Sequence, residues 1–478
     1  MQTTATLYQD IAQRLGTLID RGTFKAGERV PSVRALSQQW SVSITTVLDA
    51  YRLLEREGRL AARPQSGYYV QPGSAHATDC PGLSKPAKGP SEVSVSDLAM
   101  MVLRDARNPA LLQLGAAIPN PALMPLAALN RHVAQVARRD GESLAAYGGV
   151  LGHEPLRVQV ARRALTAGLA IDPSRVVITS GCMEGITLAL RATCRPGDTV
   201  AIESPIYYGI LQGIEALGLK VLEIPTHPRD GISLEHLERA IDQHAVRACL
   251  VIGCYNNPLG SCAPESAKRD LLALLARHDL PLIEDDIYGE LFHGDQRPPP
   301  YKAFDRDDRV LLCGSFSKSI TPGIRVGYIV PAARWQRQVE HLKFTTNIAC
   351  SGIPQAAVAE LLASGGFDRH LRRLRPLYAR FVTEVADTVL KRFPDGTRCT
   401  RPTGGHVLWV ELPKNVDALK LYELAVQAGM TIAPGHLFSA TPRYRNFIRL
   451  NAPFWSPECE RAIGRLADLT AHLAKGKS

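Results

Sequence analysis

Val310-Leu311-Leu312-Cys313-Gly314-Ser315-Phe316-Ser317-Lys318 sets a short apolar run directly against two hydroxyls and a lysine. The apolar half reads as a buried strand and the polar half as the loop at its carboxyl end. Pro322-Gly323-Ile324-Arg325 follows and brings a guanidinium seven residues past the lysine. Two hydroxyls and a lysine on one loop suit a phosphate, or a lysine with a carbonyl partner. Taken alone, the stretch reads equally well as a surface loop with solvated charges.

Similar runs lie on either side: Val176–Thr179, Thr199–Ile202, Cys249–Ile252, Leu282–Glu284 and Val326–Val330. Most alternate with helical patterns, which is the signature of an α/β fold on a largely parallel sheet. Such sheets bind ligands beyond the carboxyl ends of their strands, and the polar motifs fall there. Ser180-Gly181-Cys182-Met183 follows one strand and opens a helix. A glycine there lets backbone N–H groups approach an anion, though a purely steric role stays open. Tyr255-Asn256-Asn257-Pro258-Leu259-Gly260 reads as a simple turn, or as the source of an amide for a phenolate oxygen. Ile283-Glu284-Asp285-Asp286-Ile287-Tyr288 places a carboxylate at the end of a buried strand, which is costly unless paired. A pyridinium N–H is a suitable partner.

Phosphate, aldehyde, phenolate oxygen and ring nitrogen each find a partner in this set, and pyridoxal 5′-phosphate carries all four. Residues 97–478 resemble a fold-type I domain of the class I/II, aspartate aminotransferase-like family, with a smaller C-terminal subdomain. The resemblance implies that Lys318 holds the cofactor as an aldimine and that Asp285 pairs with the ring nitrogen. It implies that Asn257 and Tyr288 hydrogen-bond the ring oxygen, and that these four residues form the catalytic set. Ser315, Ser317 and Arg325 then hold the phosphate with N–H groups near Gly181 and Cys182. Met183 stands beside them where many relatives carry Gln. Tyr207, in Glu203-Ser204-Pro205-Ile206-Tyr207-Tyr208-Gly209, stacks on the ring. Arg449, in Phe447-Ile448-Arg449-Leu450-Asn451, clamps the α-carboxylate of a substrate. Tyr147, ahead of Gly148 and Gly149, matches the tyrosine that reaches the phosphate of a partner subunit, a role that requires a homodimer. Asp286 competes for the buried role, but the spacing to Tyr288 favours Asp285. Cys182 reads as a small residue that fits. His406 and His436 read as structural, and no metal site is expected.

The first 71 residues have a different character. Leu7, Ile11, Leu15 and Leu18 form one apolar helical stripe, broken at Gly22. Pro31 and Ser32 suit the start of a second helix through Val33, Leu36 and Trp40. Ser43 is a natural N-cap for a third through Val47, Tyr51 and Leu54, stopping at Gly58. Leu60–Ala62 and Tyr68–Val70 then read as a hairpin about Pro64-Gln65-Ser66-Gly67. This is a winged helix-turn-helix. Hydroxyls at Ser43, Thr45 and Thr46 beside free helix N–H groups suit phosphate oxygens. Arg34 suits a phosphate or a guanine, and Gly67 a close approach to the minor groove. A protein-interaction module is the plainer alternative. The runs Gly27–Arg34, Val42–Val47, Ala50–Glu55 and Ser66–Val70 resemble the GntR-family DNA-binding domain. That implies DNA contact by Arg34, Ser43, Thr45, Thr46, Tyr51 and the wing. Ile44 stands where relatives often carry Arg or Lys, which leaves the operator preference open.

Residues 72–92, PGSAHATDCPGLSKPAKGPSE, are nearly free of large apolar residues and read as a flexible linker, extended to residue 96. The whole chain has 478 residues, 45% hydrophobic and 21% charged, with a formal charge of +10. That composition excludes a collagen-like fibre and wholesale disorder. No window approaches the ~18 unbroken apolar residues of a spanning helix. The N-terminus has no signal-peptide pattern, so a cytoplasmic location is expected. Ten cysteines without a CxxC pair suggest reduced thiols. Residues 1–73 carry nine basic and six acidic residues, about twice the net charge per residue of the remainder. The union of both domain types resembles the MocR subfamily of bacterial regulators. It implies a pyridoxal-phosphate-dependent transcription factor that senses an amino acid, an amine or the cofactor itself. Its partners are a double-stranded DNA operator and a second copy, with no membrane. A working aminotransferase with an accessory DNA domain is the alternative, and at most half-reactions or slow turnover are expected.

Overall fold

The computed structural model describes residues 7–476 except 21–22, 25–26, 57–58, 64–66, 71–79, 88, 94–95, 141–145 and 442. Gly22, Gly58, the turn residues Pro64, Gln65 and Ser66, and positions 72–79 of the expected linker lie outside the described residues. The chain divides into two compact units, the first ending at Asp79 and the second beginning at Cys80.

The small unit contains α1 (Leu7–Asp20), α2 (Val33–Trp40), α3 (Ile44–Arg56), β1 (Leu60–Arg63) and β2 (Gly67–Val70). The strands pair antiparallel, with Leu60 opposite Val70. Ser32 caps α2 by accepting from the Ala35 N–H, and Ser43 caps α3 through the Thr46 N–H at 3.1 Å. One core joins Ile11, Leu15 and Ile19 of α1 to Leu36, Val47, Tyr51, Leu54, Leu60 and Val70. The α1 stripe is rotated slightly from expectation. Ile19 is buried in place of Leu18, and Leu7 on the first turn is 57% exposed.

The large unit opens with α4 (Ser96–Asp105), β3 (Leu112–Gln113), α5 (Leu126–Arg139) and α6 (Glu154–Leu165). Next come β4 (Val177–Thr179), α7 (Cys182–Thr193), β5 (Thr199–Ser204), α8 (Tyr208–Ala216), β6 (Lys220–His227) and β7 (Gly231–Ile232). They are followed by α9 (Leu234–Gln243), β8 (Val246–Ile252), α10 (Glu265–Arg277), β9 (Leu282–Asp285), β10 (Val310–Ser315) and β11 (Gly327–Val330). Three helices follow: α11 (Ala333–Asn347), α12 (Gly352–Ala363) and α13 (Gly366–Arg392). The C-terminal part holds β12 (Arg398–Cys399), β13 (Val407–Glu411), α14 (Ala418–Gln427), β14 (Met430–Thr431), β15 (Ala433–Pro434), β16 (Phe447–Asn451) and α15 (Pro457–Ala474).

Eight strands form the central sheet in the order β4-β11-β10-β9-β8-β5-β6-β7. The run from β10 to β6 is parallel. β11 is antiparallel to both β4 and β10, and β7 is antiparallel to β6. Both faces are covered, which explains why the strands read as continuous apolar runs. Leu250, Ile252 and Ile283 enter one core, while Cys249, Val251 and Leu282 enter another on the opposite face. β12-β13-β16-β15 form the smaller C-terminal sheet. Among the described residues no helix is long and apolar enough to cross a membrane.

The described residues between 80 and 93 depart from the expectation of a flexible linker. Ser91 exchanges both backbone hydrogen bonds with Val221 of β6, at 2.8 and 3.0 Å. Ser84 Oγ accepts from Thr226 N–H at 2.8 Å, and Val93 enters the core. The short β7 pairs only with Thr226 and His227 of β6, so the start of β6 keeps unpaired backbone groups that can hold a segment offering almost no apolar side chains.

Candidate functional site

The carboxyl ends of the parallel strands deliver the side chains of the site to one rim. β4 leads into Ser180 and Gly181, β8 into Tyr255–Asn257, β9 ends on Asp285, and β10 ends on Ser315 ahead of Ser317 and Lys318. β11 runs the other way, so Arg325, two residues before it, reaches the same rim.

Lys318 Nζ donates to the Ala117 carbonyl at 2.6 Å. Burial pushes its ammonium down to about 8, with the Arg449 charge adding to the effect and Asp285 opposing it. The neutral amine is the nucleophile. Its reaction with an aldehyde should therefore rise as pH increases through about 8, well below the 10.5 of an ordinary lysine. A stopped-flow pH profile whose midpoint lies near the ordinary value would contradict this environment.

Asp285 is buried, and burial pushes its carboxyl up to about 6 despite donors at Cys182 and Ile287. Cys182 Sγ–H and the Ile287 N–H both go to Oδ1, at 3.1 and 3.0 Å. A carboxylate raised by burial is one that a cationic N–H would stabilise. Asp286, its neighbour, is committed elsewhere: it forms a buried ion pair with Arg297. Asn256 is committed too, donating to Glu203 Oε2 at 2.7 Å. The Cys182 thiol is held well above its ordinary value by burial and the nearby carboxylate, so it is an inert filler.

Asn257 joins two other site residues. Its Oδ1 accepts from Arg449 Nη1 at 2.9 Å, and its Nδ2 faces the Tyr288 hydroxyl at 3.4 Å. Arg449 is fully buried in β16, with Nη2 on the Gly115 carbonyl at 2.6 Å and Nε without a partner. Phe438 packs against this guanidinium with its ring centroid 5.0 Å away. Tyr207 packs on Tyr208 at the start of α8, ring centroids 4.8 Å apart. His406 lies between the rings of Tyr288 and Tyr378, and its Nδ1 pairs with Asn451 Oδ1 at 2.8 Å. Burial pushes it down to about 3, so it is a neutral packing residue. His436 is buried and shifted the same way for the same reason.

The phosphate end is built around a glycine. Gly181 has φ +86°, and a Cβ there would lie 2.4 Å from Arg325 Nη2. Only a glycine lets that guanidinium cross the start of α7, where free N–H groups and the helix dipole favour an anion. Arg325 Nη2 donates to the Ser180 carbonyl at 2.6 Å. Ser315 and Ser317 hydroxyls meet at 2.8 Å. A Cβ on Gly327 would strike the Gly181 backbone at 2.6 Å and the Gly314 carbonyl at 2.8 Å, which shows how closely these loops pack. Met183 is half-buried beside them. Tyr147 is 86% exposed.

Three contributors were not read from the sequence. Gly115 and Ala117 act through backbone carbonyls, which no side chain announces. Glu203 is buried at the end of β5 and bonds the Ile252 N–H at 2.7 Å. Its signal was there: like Asp285, it is a carboxylate closing a buried strand.

In the small unit, Ser43 Oγ lies 2.8 Å from Thr45 Oγ1 and 2.6 Å from Thr46 Oγ1, a hydroxyl cluster at the start of α3. Arg34 is exposed on the first turn of α2, and Ile44 is 52% exposed beside the cluster. Gly67 has φ +104°, and a Cβ there would lie 3.0 Å from Arg29 Nε. Tyr51 is a correction. It is fully buried, and its hydroxyl donates to the Pro31 carbonyl at 2.6 Å. It joins α3 to the α2 entry and has no surface to offer DNA.

Residues 120–466 match the family model for aminotransferase class I and II, and residues 7–70 match that for bacterial regulatory proteins of the gntR family. The chain is 38% identical to the uncharacterized HTH-type transcriptional regulator YjiR of Escherichia coli, over 93% of this chain and 94% of that one. It is 36% identical to a second such regulator of that organism, YdcR, over 97% and 98% of the two chains. Among solved structures it resembles a kynurenine aminotransferase of Pyrococcus horikoshii (TM-score 0.74, 26% identity, 81% of this chain and 96% of that one). It also resembles LysN, the alpha-aminoadipate aminotransferase of Thermus thermophilus, complexed with N-(5′-phosphopyridoxyl)-L-leucine. That match has a TM-score of 0.72 at 27% identity, over 80% of this chain and all of that one.

Proposed function

Since the chain belongs to the class I and II aminotransferase family and carries a gntR-family domain ahead of it, we propose that it is a pyridoxal-phosphate-dependent transcriptional regulator. The observation that carries this reading is the union, in one chain, of polar side chains gathered on the rim of an aminotransferase-family sheet and an exposed hydroxyl cluster at a helix start of a gntR-family domain. The combination matches the MocR architecture. Bound in the site, pyridoxal phosphate supplies an aldehyde for covalent attachment of amines and a ring that accepts electrons.

The chain's own residues do the rest. Lys318 is the attachment point, and once freed as an amine its Nζ can take up and return a proton. Asp285 keeps the ring nitrogen protonated through a charge-assisted hydrogen bond. Asn257 and Tyr288 direct donors at the ring oxygen, and Tyr207 covers the ring. Ser315, Ser317, Arg325 and the N–H groups of Gly181, Cys182 and Met183 hold the phosphate. Arg449 takes the carboxylate of an amino acid. The fully buried guanidinium with an unsatisfied Nε supports that role, because a carboxylate would complete its fork. The high exposure of Tyr147, with exposed Phe344 and Ile348 on and beside α11, supports a homodimer in which Tyr147 reaches the other copy.

Arg34, Ser43, Thr45, Thr46 and the wing at Gly67 bind an operator in the cytoplasm. Replacing Arg34 by Ala should cost ~1–3 kcal/mol of operator affinity if the guanidinium reads a guanine edge. If it grips phosphate, the loss should be equal on all sequences and the salt slope should fall by about one. Unchanged binding on operator and random DNA alike would remove Arg34 from the interface.

An amino acid or amine effector regulates DNA binding only if it binds two arrangements of the protein unequally. Operator affinity at fixed salt, with and without cofactor and a panel of amino acids, tests this. A change of about 5-fold or more is expected, the lower end of typical couplings. Identical affinities across the panel, with multiple-turnover amino transfer to a 2-oxo acid, would favour the aminotransferase reading instead.

A further inference from the structure

Under the loop that carries Asn257, Cys254 and Cys262 face each other as partners of an isolated antiparallel bridge. Opposed residues of antiparallel strands have Cα atoms about 4.5–5.5 Å apart, inside the roughly 4.4–6.8 Å span that a disulfide bridges. The surroundings make the two thiols unlike. Cys254 is fully buried and Cys262 half-buried. Lys268 Nζ, anchored on the Pro299 carbonyl at 2.6 Å, lies 3.6 Å from Cys254 Sγ. A hydrogen bond from Cys254, the Lys268 charge and the Tyr255 N–H hold the Cys262 thiol below its ordinary value, while Cys254 is pushed up. Burial pushes the thiols of Cys182, Cys249, Cys313, Cys399 and Cys459 up as well.

We propose that Cys262 and Cys254 form a dithiol site oxidised by hydroperoxides, with Cys262 attacking and Cys254 resolving. The Cys262 thiolate attacks one peroxide oxygen. The O–O bond breaks, the leaving alkoxide or hydroxide takes up the proton that Cys262 released and departs as an alcohol or water, and Cys262 becomes a sulfenic acid. The Cys254 thiol then attacks that sulfur. The S–S bond forms, the S–O bond breaks, and hydroxide leaves with the thiol proton as water. One hydroperoxide is reduced for two thiols oxidised. The disulfide closes residues 255–261 into a ring, and that ring contains Asn257, which holds both Arg449 and Tyr288. Oxidation thus constrains the loop that carries Asn257 while the covalent change itself is confined to the two cysteines. The chemistry of the thiols is independent of the cofactor reading.

The test uses the full reduced chain, treated with hydrogen peroxide, alkylated and digested without reductant. Mass mapping should recover a peptide pair linked through positions 254 and 262, lighter by two hydrogens, ahead of any other cysteine pair. Cys262→Ser should abolish it, and Cys254→Ser should leave a Cys262 sulfenic acid that dimedone captures. A Cys262 that stays fully alkylatable in the wild type while other cysteines oxidise would overturn the proposal. So would a Cys254→Ser protein that gives no dimedone adduct at Cys262.

Discussion

Arg449→Ala should weaken the response to amino acids at least about 30-fold while the bound-cofactor absorbance band persists. The guanidinium is fully buried, and two of its nitrogens are already committed to Asn257 Oδ1 and the Gly115 carbonyl. Removing one partner of a buried, hydrogen-bonded charge pair costs about 2–5 kcal/mol, and the lower figure corresponds to the stated factor. Arg449→Lys keeps the charge but loses the planar fork, so it should recover only part of the response. An absorbance titration with a series of amino acids measures both variants. If the alanine variant binds the cofactor and still responds like the wild type, the carboxylate is held elsewhere.

Asp285→Asn should lower cofactor affinity about 10- to 150-fold, the equivalent of the ~1.5–3 kcal/mol typical of hydrogen bonds to charged groups. The substitution preserves shape, so β9 and its neighbours should survive. It removes a carboxylate that burial raises and that has no basic side chain in hydrogen-bond contact. Asp286→Asn is the control with a different meaning. Asp286 forms a buried ion pair with Arg297, so its loss should lower thermal stability more than cofactor affinity. Equal cofactor affinity in wild type and Asp285→Asn, measured by fluorescence quenching, would show that Asp285 does not face the ring.

The parts of this protein that were legible in its sequence are those where a polar side chain interrupts an apolar strand. Asp285, Asn257 and Lys318 sit at or after the ends of buried runs, Arg325 sits just before one that runs the other way, and α/β topology gathers such points onto one rim. The illegible parts work without side-chain chemistry. Ala117 and Gly115 contribute carbonyls, which every residue has. The segment ahead of Val93 looks like a linker because the Ser91 backbone and the Ser84 hydroxyl, rather than large apolar side chains, tie it to β6. β6 itself was hidden by Lys220 and Pro225, residues depleted in strands. Tyr51 was misplaced because helix periodicity marks a stripe but leaves the direction of a tyrosine hydroxyl open, and the Pro31 carbonyl takes it inward. Leu18 and Ile19 show the same limit at finer scale: adjacent apolar residues on one helix turn do not reveal which one faces the core.

Reduction of the cofactor-loaded protein with borohydride, followed by peptide mass mapping, decides whether pyridoxal phosphate is held covalently at one lysine. A single phosphopyridoxyl adduct at Lys318 is expected, absent from Lys318→Ala, in a chain that still binds its operator. A protein that stays colourless with pyridoxal phosphate, or one whose label scatters over surface lysines and survives the Lys318→Ala change, would contradict it.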